Sequence, residues 1–240
     1  MAKKTLVVLS GSGISAESGI STFRGGNGLW DNVSVNEICT PEGWRRNPGK
    51  VLGFYNRLRR QLEAAQPNEA HRILAELEEL MTVKVITQNV DNLHERAGSS
   101  FVLHLHGELT KVRPEGCYTE SDGFSRKYVK DIGYSDVALG ETGGPRNTQF
   151  RPHIVWFGEA VPNLEEAARI VSEADILLIV GTSLQVYPAA GLSAYAPQGC
   201  EIWLIDPDEE LGHKLHGVHF IRDVATSGMR RFRDAVLASQ

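Results

Sequence analysis

The sequence predicts an α/β fold, a Rossmann-like doubly wound parallel sheet with a small, helical second lobe made by two insertions. Three observations carry this. Short apolar runs rich in branched side chains recur at residues 5–10, 83–87, 101–105, 153–157, 176–180 and 201–205. They are continuous rather than alternating, which suits parallel strands covered on both faces. Helical patterns lie between them, and strand–helix alternation is the mark of a doubly wound sheet.

The elements follow in order. Run 5–10 is the first strand, and it leads into a turn dense in glycine. Residues 25–67 look largely helical, with turn signals at Gly25-Gly26 and Asn47-Pro48-Gly49. Ala70, Ile73, Leu74, Leu77 and Leu80 then recur at helical spacing, with Asn68 as N-cap after Pro67. Runs 83–87 and 101–105 read as the next strands. Residues 113–150 are polar, glycine-rich and weakly periodic, and 38 residues is too long for an ordinary connection. After run 153–157, Leu164, Ala167, Ala168 and Val171 repeat the helical spacing behind Asn163. Runs 176–180 and 201–205 complete the sheet. The chain thus reads as one domain, its sheet lobe spanning about 1–30, 68–112 and 151–240 and its small lobe about 31–67 and 113–150.

Composition excludes several classes. The 240 residues are 41% hydrophobic, and a chain of this size buries roughly three quarters of its unfolded surface, so it needs no staples. A net charge of −5 argues against nucleic acid, which needs a basic surface. The clusters Arg57, Arg59, Arg60 and Arg230, Arg231, Arg233 read as solvated helix faces. No window approaches the ~20 apolar residues of a membrane span, and no leader precedes the first strand. A soluble cytoplasmic monomer with no membrane partner is expected. Cys39, Cys117 and Cys200 make neither a disulfide framework nor a four-thiolate zinc site.

The first strand runs into Gly11-Ser12-Gly13-Ile14-Ser15-Ala16-Glu17-Ser18-Gly19. A strand, close-set glycines and a helix start suit a pyrophosphate, because the backbone can approach it closely and offer free N–H groups. The spacing G-x-G-x(5)-G is not that of ordinary dehydrogenases, and no G-K-[ST] marks a nucleotide-hydrolysing loop. A tight turn with no ligand also fits this stretch alone. His106 follows an apolar strand, where sheets of this kind meet ligands, and a neutral imidazole there can accept a proton. Its neighbour His104 fits a structural role better. Gln88, Asn89 and Asp91 leave Val90 to pack inward and can bind amide and ribose groups, although turns also favour Asn and Asp.

Five ordered blocks then carry a family resemblance. They are Gly11 to Ile20 followed by Thr22-Phe23-Arg24; Thr87-Gln88-Asn89-Val90-Asp91-Asn92-Leu93-His94; His104-Leu105-His106-Gly107-Glu108; Arg151-Pro152-His153-Ile154-Val155-Trp156-Phe157-Gly158-Glu159; and Gly181-Thr182-Ser183-Leu184-Gln185-Val186-Tyr187-Pro188. Together they resemble the sirtuins (the Sir2 family), NAD-dependent protein lysine deacylases, in a short bacterial-type form. Ser12 departs from the family's G-A-G-I-S, and Asp206 stands where many sirtuins carry Asn.

The resemblance implies NAD as cofactor and an acyl-lysine protein or peptide as partner. The acyl-amide oxygen would displace nicotinamide, and His106 would activate a ribose hydroxyl to release lysine and O-acyl-ADP-ribose. It implies Asn89 and Asp91 beside His106 in catalysis. NAD contacts would come from Gly11, Ser12, Gly13, Ile14, Ser15, Glu17, Phe23, Arg24, Gln88, Asn89, Asp91, Gly181, Thr182, Ser183, Asp206 and Ala225. The peptide would meet Val155, Phe157, Gly158, Glu159, Val186 and Tyr187. Sirtuins that prefer charged acyl groups resemble Tyr-x-x-Arg, but here Tyr55 is followed by Leu58. Either Leu58 lines an apolar tunnel or Arg59 reaches over; a neutral acyl group is expected, because a buried carboxylate without a cation is costly. Most sirtuins also hold zinc on two C-x-x-C pairs, yet residues 113–150 contain only Cys117, so no metal is expected. An NAD glycohydrolase or ADP-ribosyltransferase, or a catalytically weak NAD sensor, remain the alternatives.

Overall fold

The computed structural model describes residues 3–22, 33–214 and 217–238. Its strands are β1 (Thr5–Ser10), β2 (Thr82–Thr87), β3 (Val102–His104), β4 (Gly107–Pro114), β5 (Lys130–Asp131), β6 (Thr142–Gly143), β7 (Thr148–Ile154), β8 (Ile176–Val180), β9 (Glu201–Ile205) and β10 (His219–Ile221). Its α-helices are α1 (Gly13–Ala16), α2 (Val35–Ile38), α3 (Pro41–Arg46), α4 (Pro48–Ala64), α5 (Glu69–Glu76), α6 (Leu93–Ala97), α7 (Leu164–Val171), α8 (Glu209–Lys214) and α9 (Ala225–Ala238).

Six strands form a parallel sheet in the order β10-β9-β8-β1-β2-β3. Both faces are covered, which explains the continuous apolar runs. Leu6 and Val8 of β1 pack with Ile73 and Leu74 of α5 and with Met229 and Phe232 of α9. Val7 and Leu9 point the other way and pack with Ala167, Ile170 and Val171 of α7. Alternation of side chains across a strand thus feeds two separate cores. The strand order reverses beside β1, between β8 and β2, and that is where open α/β sheets bind ligands.

Local chemistry sets the helix starts. Asn68 accepts from Ala70 N at 2.9 Å and His71 completes a capping box for α5. Asn47 caps α4 with Pro48 at its first position, and Thr40 caps α3 ahead of Pro41. Such caps are worth about 1 kcal/mol each.

The second lobe is less helical than the sequence suggests. Helices α2 to α4 fall within residues 25–67, but residues 113–150 supply strands. Strands β5-β4-β7-β6 form an antiparallel sheet. Run 153–157, expected as a parallel strand, instead ends β7 and pairs with β4 in this second sheet. Its apolar character has another cause: Ile154 and Trp156 are buried against Trp44, Phe54 and Leu109 in the core shared with α2 to α4. Ile132 and Tyr134 pack on that core, and Tyr118 meets Phe124 and the Arg113 guanidinium. Arg59 corrects the reading of its cluster as a solvated face. It shares the inner face of α4 with Tyr55 and Leu62 and is fully buried, donating from Nε to Leu109 O at 2.8 Å and from Nη1 to Asn56 Oδ1 at 2.8 Å.

Candidate functional site

One cavity of about 610 Å³ lies at the carboxyl edge of the parallel sheet. On one side are the ends of β1, β2, β8 and β9; on the other are α4, β4 and the chain after β7.

Its floor is bare backbone. Gly13 N donates to Gly181 O at 2.8 Å and Gly11 N to Val180 O at 3.0 Å. A Cβ on Gly11 would lie 2.7 Å from Gly181 O, and one on Gly13 would lie 2.6 Å from Gly181 Cα. Gly181 has φ +62 and its own Cβ would strike Ile14 N. Three glycines therefore let the β1 and β8 turns touch, leaving a cradle floored by their backbone. Ser12, Ser15, Thr182 and Ser183 line the same space, and Ile14 is buried beneath it in the sheet core.

Beside the floor stands a buried polar network. Asn89 Nδ2 donates to Gly11 O at 3.1 Å and to Ser15 Oγ at 3.2 Å. Ser15 Oγ donates to Asp91 Oδ2 at 2.9 Å, and Leu93 N reaches Asp91 Oδ1 at 3.1 Å. Burial pushes the Asp91 pKa up, while these two bonds pull it down. Gln88 Nε2 donates to Thr182 Oγ1 at 2.9 Å, tying the end of β2 to the end of β8. Below lie His71 and His94, with ring centroids 4.9 Å apart. Burial holds His71 down at about pKa 4 and His94 well below the usual imidazole range, so both are neutral. Nothing local in the chain announces this pair, because only tertiary packing joins α5 to α6.

His106 faces the cavity with a defined tautomer. Its Nδ1 lies 3.0 Å from Gln88 O. A carbonyl only accepts, so Nδ1 carries the proton and Nε2 keeps its lone pair. Burial lowers the His106 pKa and the Gln88 bond raises it; burial wins. A neutral imidazole with an open nitrogen is what a general base requires.

At one end of the cavity, Asp206 follows β9 with Asp208 and Ala225 nearby. Burial raises the Asp206 pKa despite its bond from Asp208 N. Glu17 lines this end too, but its carboxylate takes Thr226 N at 2.8 Å and Thr226 Oγ1 at 2.6 Å, capping α9 and fixing Ala225 beside the cavity. At the mouth, Phe157 and Tyr187 are exposed at 43% and 76%, a large apolar surface to leave in water beside a cleft. Gly158, Val155 and Val186 share that rim. The Glu159 carboxylate turns inward, to Arg151 at 2.7 Å, to Trp156 N at 2.8 Å and to Arg113 at 3.4 Å, so its side chain braces the rim instead of facing outward. Phe23 and Arg24 lie outside the described residues.

The remaining wall is mostly apolar, with Gln61 of α4 as its polar member. Tyr55, Leu58, Leu62, Leu109, Ile154 and Trp156 line it, with Cys39. The Tyr55 hydroxyl donates to Cys39 Sγ at 3.7 Å and accepts from Trp156 Nε1 at 3.0 Å. Burial pushes the Cys39 thiol up to about 11. Leu58 faces the cavity, whereas Arg59 does not line it. Cys39, Leu62 and Trp156 escaped the sequence reading, since only the fold brings α4 against the chain after β7.

A glycine cradle at the switch point, buried amide and carboxylate groups and a neutral histidine define a dinucleotide-using enzyme. The comparisons with known proteins agree. Residues 11–188 match the model of the Sir2 family, and the chain belongs to that family. An NAD-dependent protein deacylase of Bacteroides thetaiotaomicron is 51% identical over 236 residues, covering 98% of each chain. One of Helicobacter pylori is 50% identical over 227 residues, covering 95% of each. The crystal structure of a Sir2 homolog–NAD complex superposes with TM-score 0.84 at 37% identity, over 99% of this chain and 91% of the other.

The small lobe does not fit the zinc site that the resemblance raises. Cys117 is the sole cysteine of residues 113–150, and a Cβ on Gly144 would lie 3.0 Å from its Sγ and 3.0 Å from Pro114 Cγ. No cluster of three metal-ligating side chains exists among the described residues. Hydrogen bonds hold the corresponding strands: Gln149 Nε2 donates to Ala138 O and Glu141 O, both at 3.0 Å, and Asn56 Nδ2 to Val137 O at 3.0 Å. The purified protein is expected to contain well under one zinc per chain and to keep its thermal midpoint in excess EDTA. Stoichiometric zinc, or a fall in midpoint with chelator, would contradict this.

Proposed function

We propose that this protein is an NAD-dependent protein lysine deacylase whose acceptor is NAD bound across the glycine cradle and whose general base is His106. The observation that carries the reading is His106 itself, a neutral imidazole with Nδ1 committed to Gln88 O and Nε2 open to the cavity. Bound NAD supplies an activated ribose carbon and a place for the acyl group. Gly11, Ser12, Gly13 and Gly181 would hold its pyrophosphate, with Ile14 seating the turn and Thr182 and Ser183 beside it. Asp206 would accept from the adenosine ribose, and Ala225 would pack nearby. Gln88, Asn89 and Asp91 would hold the nicotinamide half. His106 would take a proton at Nε2 from a ribose hydroxyl. An extended acyl-lysine segment would lie between Val155 to Glu159 on one side and Val186 and Tyr187 on the other, as an added strand. Its stem would pass Phe157 toward the apolar wall.

The requirement for peptide separates this from glycohydrolysis and from NAD sensing. With NAD and an acetyl-lysine peptide, nicotinamide is expected only when peptide is present, with the acyl group recovered on ADP-ribose by mass. His106→Ala is expected to reduce acyl transfer by about 10²-fold or more while sparing NAD binding measured by calorimetry. Nicotinamide release without peptide, or a fully active His106→Ala, would sink the reading.

The acyl preference follows from Leu58. Among the described residues this wall presents no cation: Arg59 does not line the cavity, its Nε and Nη1 bond to Leu109 O and Asn56 while its Nη2 stays buried without a partner, and the Tyr55 hydroxyl already has two partners. A charged acyl group buried there would lose its water without compensation. Acetyl- and longer neutral acyl-peptides are expected to exceed succinyl-peptide in kcat/KM by at least about tenfold, and Leu58→Arg is expected to narrow the gap. A succinyl preference in the unaltered enzyme would refute this.

A further inference from the structure

Two histidines follow each other at alternate positions, His104 at the end of β3 and His106 just beyond. Both reach back to the segment that follows β2. His106 Nδ1 lies 3.0 Å from Gln88 O, and His104 Nδ1 lies 2.9 Å from Asn89 O. Their second nitrogens differ. His106 leaves Nε2 to the cavity, whereas His104 Nε2 lies 2.7 Å from Glu95 Oε1.

A carbonyl and a carboxylate both accept, so both ring nitrogens of His104 must donate and the ring is an imidazolium. Glu95 lies on α6, in the same stretch of chain as Asn89 and Asp91. The imidazolium therefore ties the backbone at the start of that stretch to the side chain at its end. Asn163 Nδ2 donates to His104 O at 2.7 Å and anchors the strand end from the other side. Burial pushes the His104 pKa down, but the Glu95 bond and charge push it up, and the net direction is up. Burial raises the Glu95 pKa and the His104 bond lowers it, with the net direction down. Both directions describe an ion pair.

The other titratable groups around the ring come from each neighbouring element. Asp91 and His94 lie on the tied segment, and the His104 charge acts to lower the pKa of each. From β4, Glu108 adds attraction, Lys111 is bonded to Glu108 at 2.6 Å, and Arg113 stands farther along a small pocket. Tyr118, Arg126 and His153 line the rest of that pocket. Burial, followed by the charge of Arg113, holds His153 down at about pKa 3, so it adds no proton in the working range.

We propose that His104 is a positioning residue: its imidazolium, held between Asn89 and Glu95, fixes the segment that carries Gln88, Asn89 and Asp91 in its reacting shape, and turnover fails when rising pH removes its proton. This rests on the reading of Asn89 and Asp91 as NAD-binding groups. The sign differs from that of His106. A raised pKa means the clamp is present below it and lost as pH rises through it. His106 must be neutral, so activity is lost as pH falls through its lowered pKa. The pH profile of kcat is therefore a bell whose two limbs belong to two histidines two residues apart.

The Glu95 side chain is 40% exposed against 7% for His104, so Glu95→Gln removes the charge at the wet end of the pair and spares the core. In Glu95→Gln the alkaline limb is expected to move to lower pH by about one unit or more, with the acid limb unmoved. Nitrogen-detected NMR of the free, unaltered enzyme is expected to show the His104 ring protonated at both nitrogens through neutral pH, with its titration midpoint falling in Glu95→Gln. An unmoved alkaline limb overturns the proposal, as does a His104 ring already neutral at pH 7, or a variant whose only change is a lower thermal midpoint. Asn89→Ala keeps the two readings apart. A fully active Asn89→Ala would overturn the NAD-site placement, whereas an inactive one alongside an unmoved limb overturns the clamp alone.

Discussion

The site depends on the close approach of two turns. β1 and β8 end side by side at the switch point of the parallel sheet, and Gly11, Gly13 and Gly181 let their backbones touch. No other residue fits there: each added Cβ would fall within 2.7 Å of backbone or side-chain atoms of the opposing turn. The contact places bare backbone at the floor of the cavity, and it carries Ser15 and Thr182 to the groups that follow β2. Asn89 then bonds to Gly11 O and Ser15, and Gln88 to Thr182, so the polar half of the site is hung from the glycine floor.

Around that floor, burial and charge sort the histidines into different tasks. His71 and His94 are neutral supports beneath Ser15 and β1. His106 is neutral with an open nitrogen. His104, two residues earlier, is charged because its partners are a carbonyl and a carboxylate. Four rings of one kind thus differ in proton state through the groups they meet. The opposite wall works by exclusion. Glu159 pairs with two buried arginines, the Tyr55 hydroxyl bonds with Cys39 and Trp156, and Arg59 bonds to Leu109 O and Asn56 outside the lining, so that this wall presents mostly hydrocarbon and a thiol to the cavity.

Much of this was legible in the sequence because local chemistry carries it. Continuous apolar runs reveal strands buried on both faces, and β1, β2, β8 and β9 lie where such runs occur. Asn68 after Pro67 marks the start of α5. Close-set glycines and the Gln88 to Asp91 block lie at strand ends, where ligands bind. What stayed hidden depends on pairing. An apolar run does not say which strand it pairs with, so residues 153–157 read as parallel although β7 is antiparallel to β4. β10 has three residues, too few for a pattern. Arg59 read as solvent-facing because its burial is set by Leu109 across the lobe. His104 read as merely structural because Glu95 reaches it only once α6 folds beside β3.

In the proposed placement, NAD binding requires the bare contact of the β1 and β8 turns. Gly181→Ala isolates that contact, because the residue has φ +62 and its new methyl would press on Gly13 and Ile14. NAD titrated calorimetrically into the folded variant, its helix content checked by circular dichroism, is predicted to bind at least about tenfold more weakly, a loss of about 1.4 kcal/mol or more. Unchanged NAD affinity in a folded Gly181→Ala protein would contradict the account.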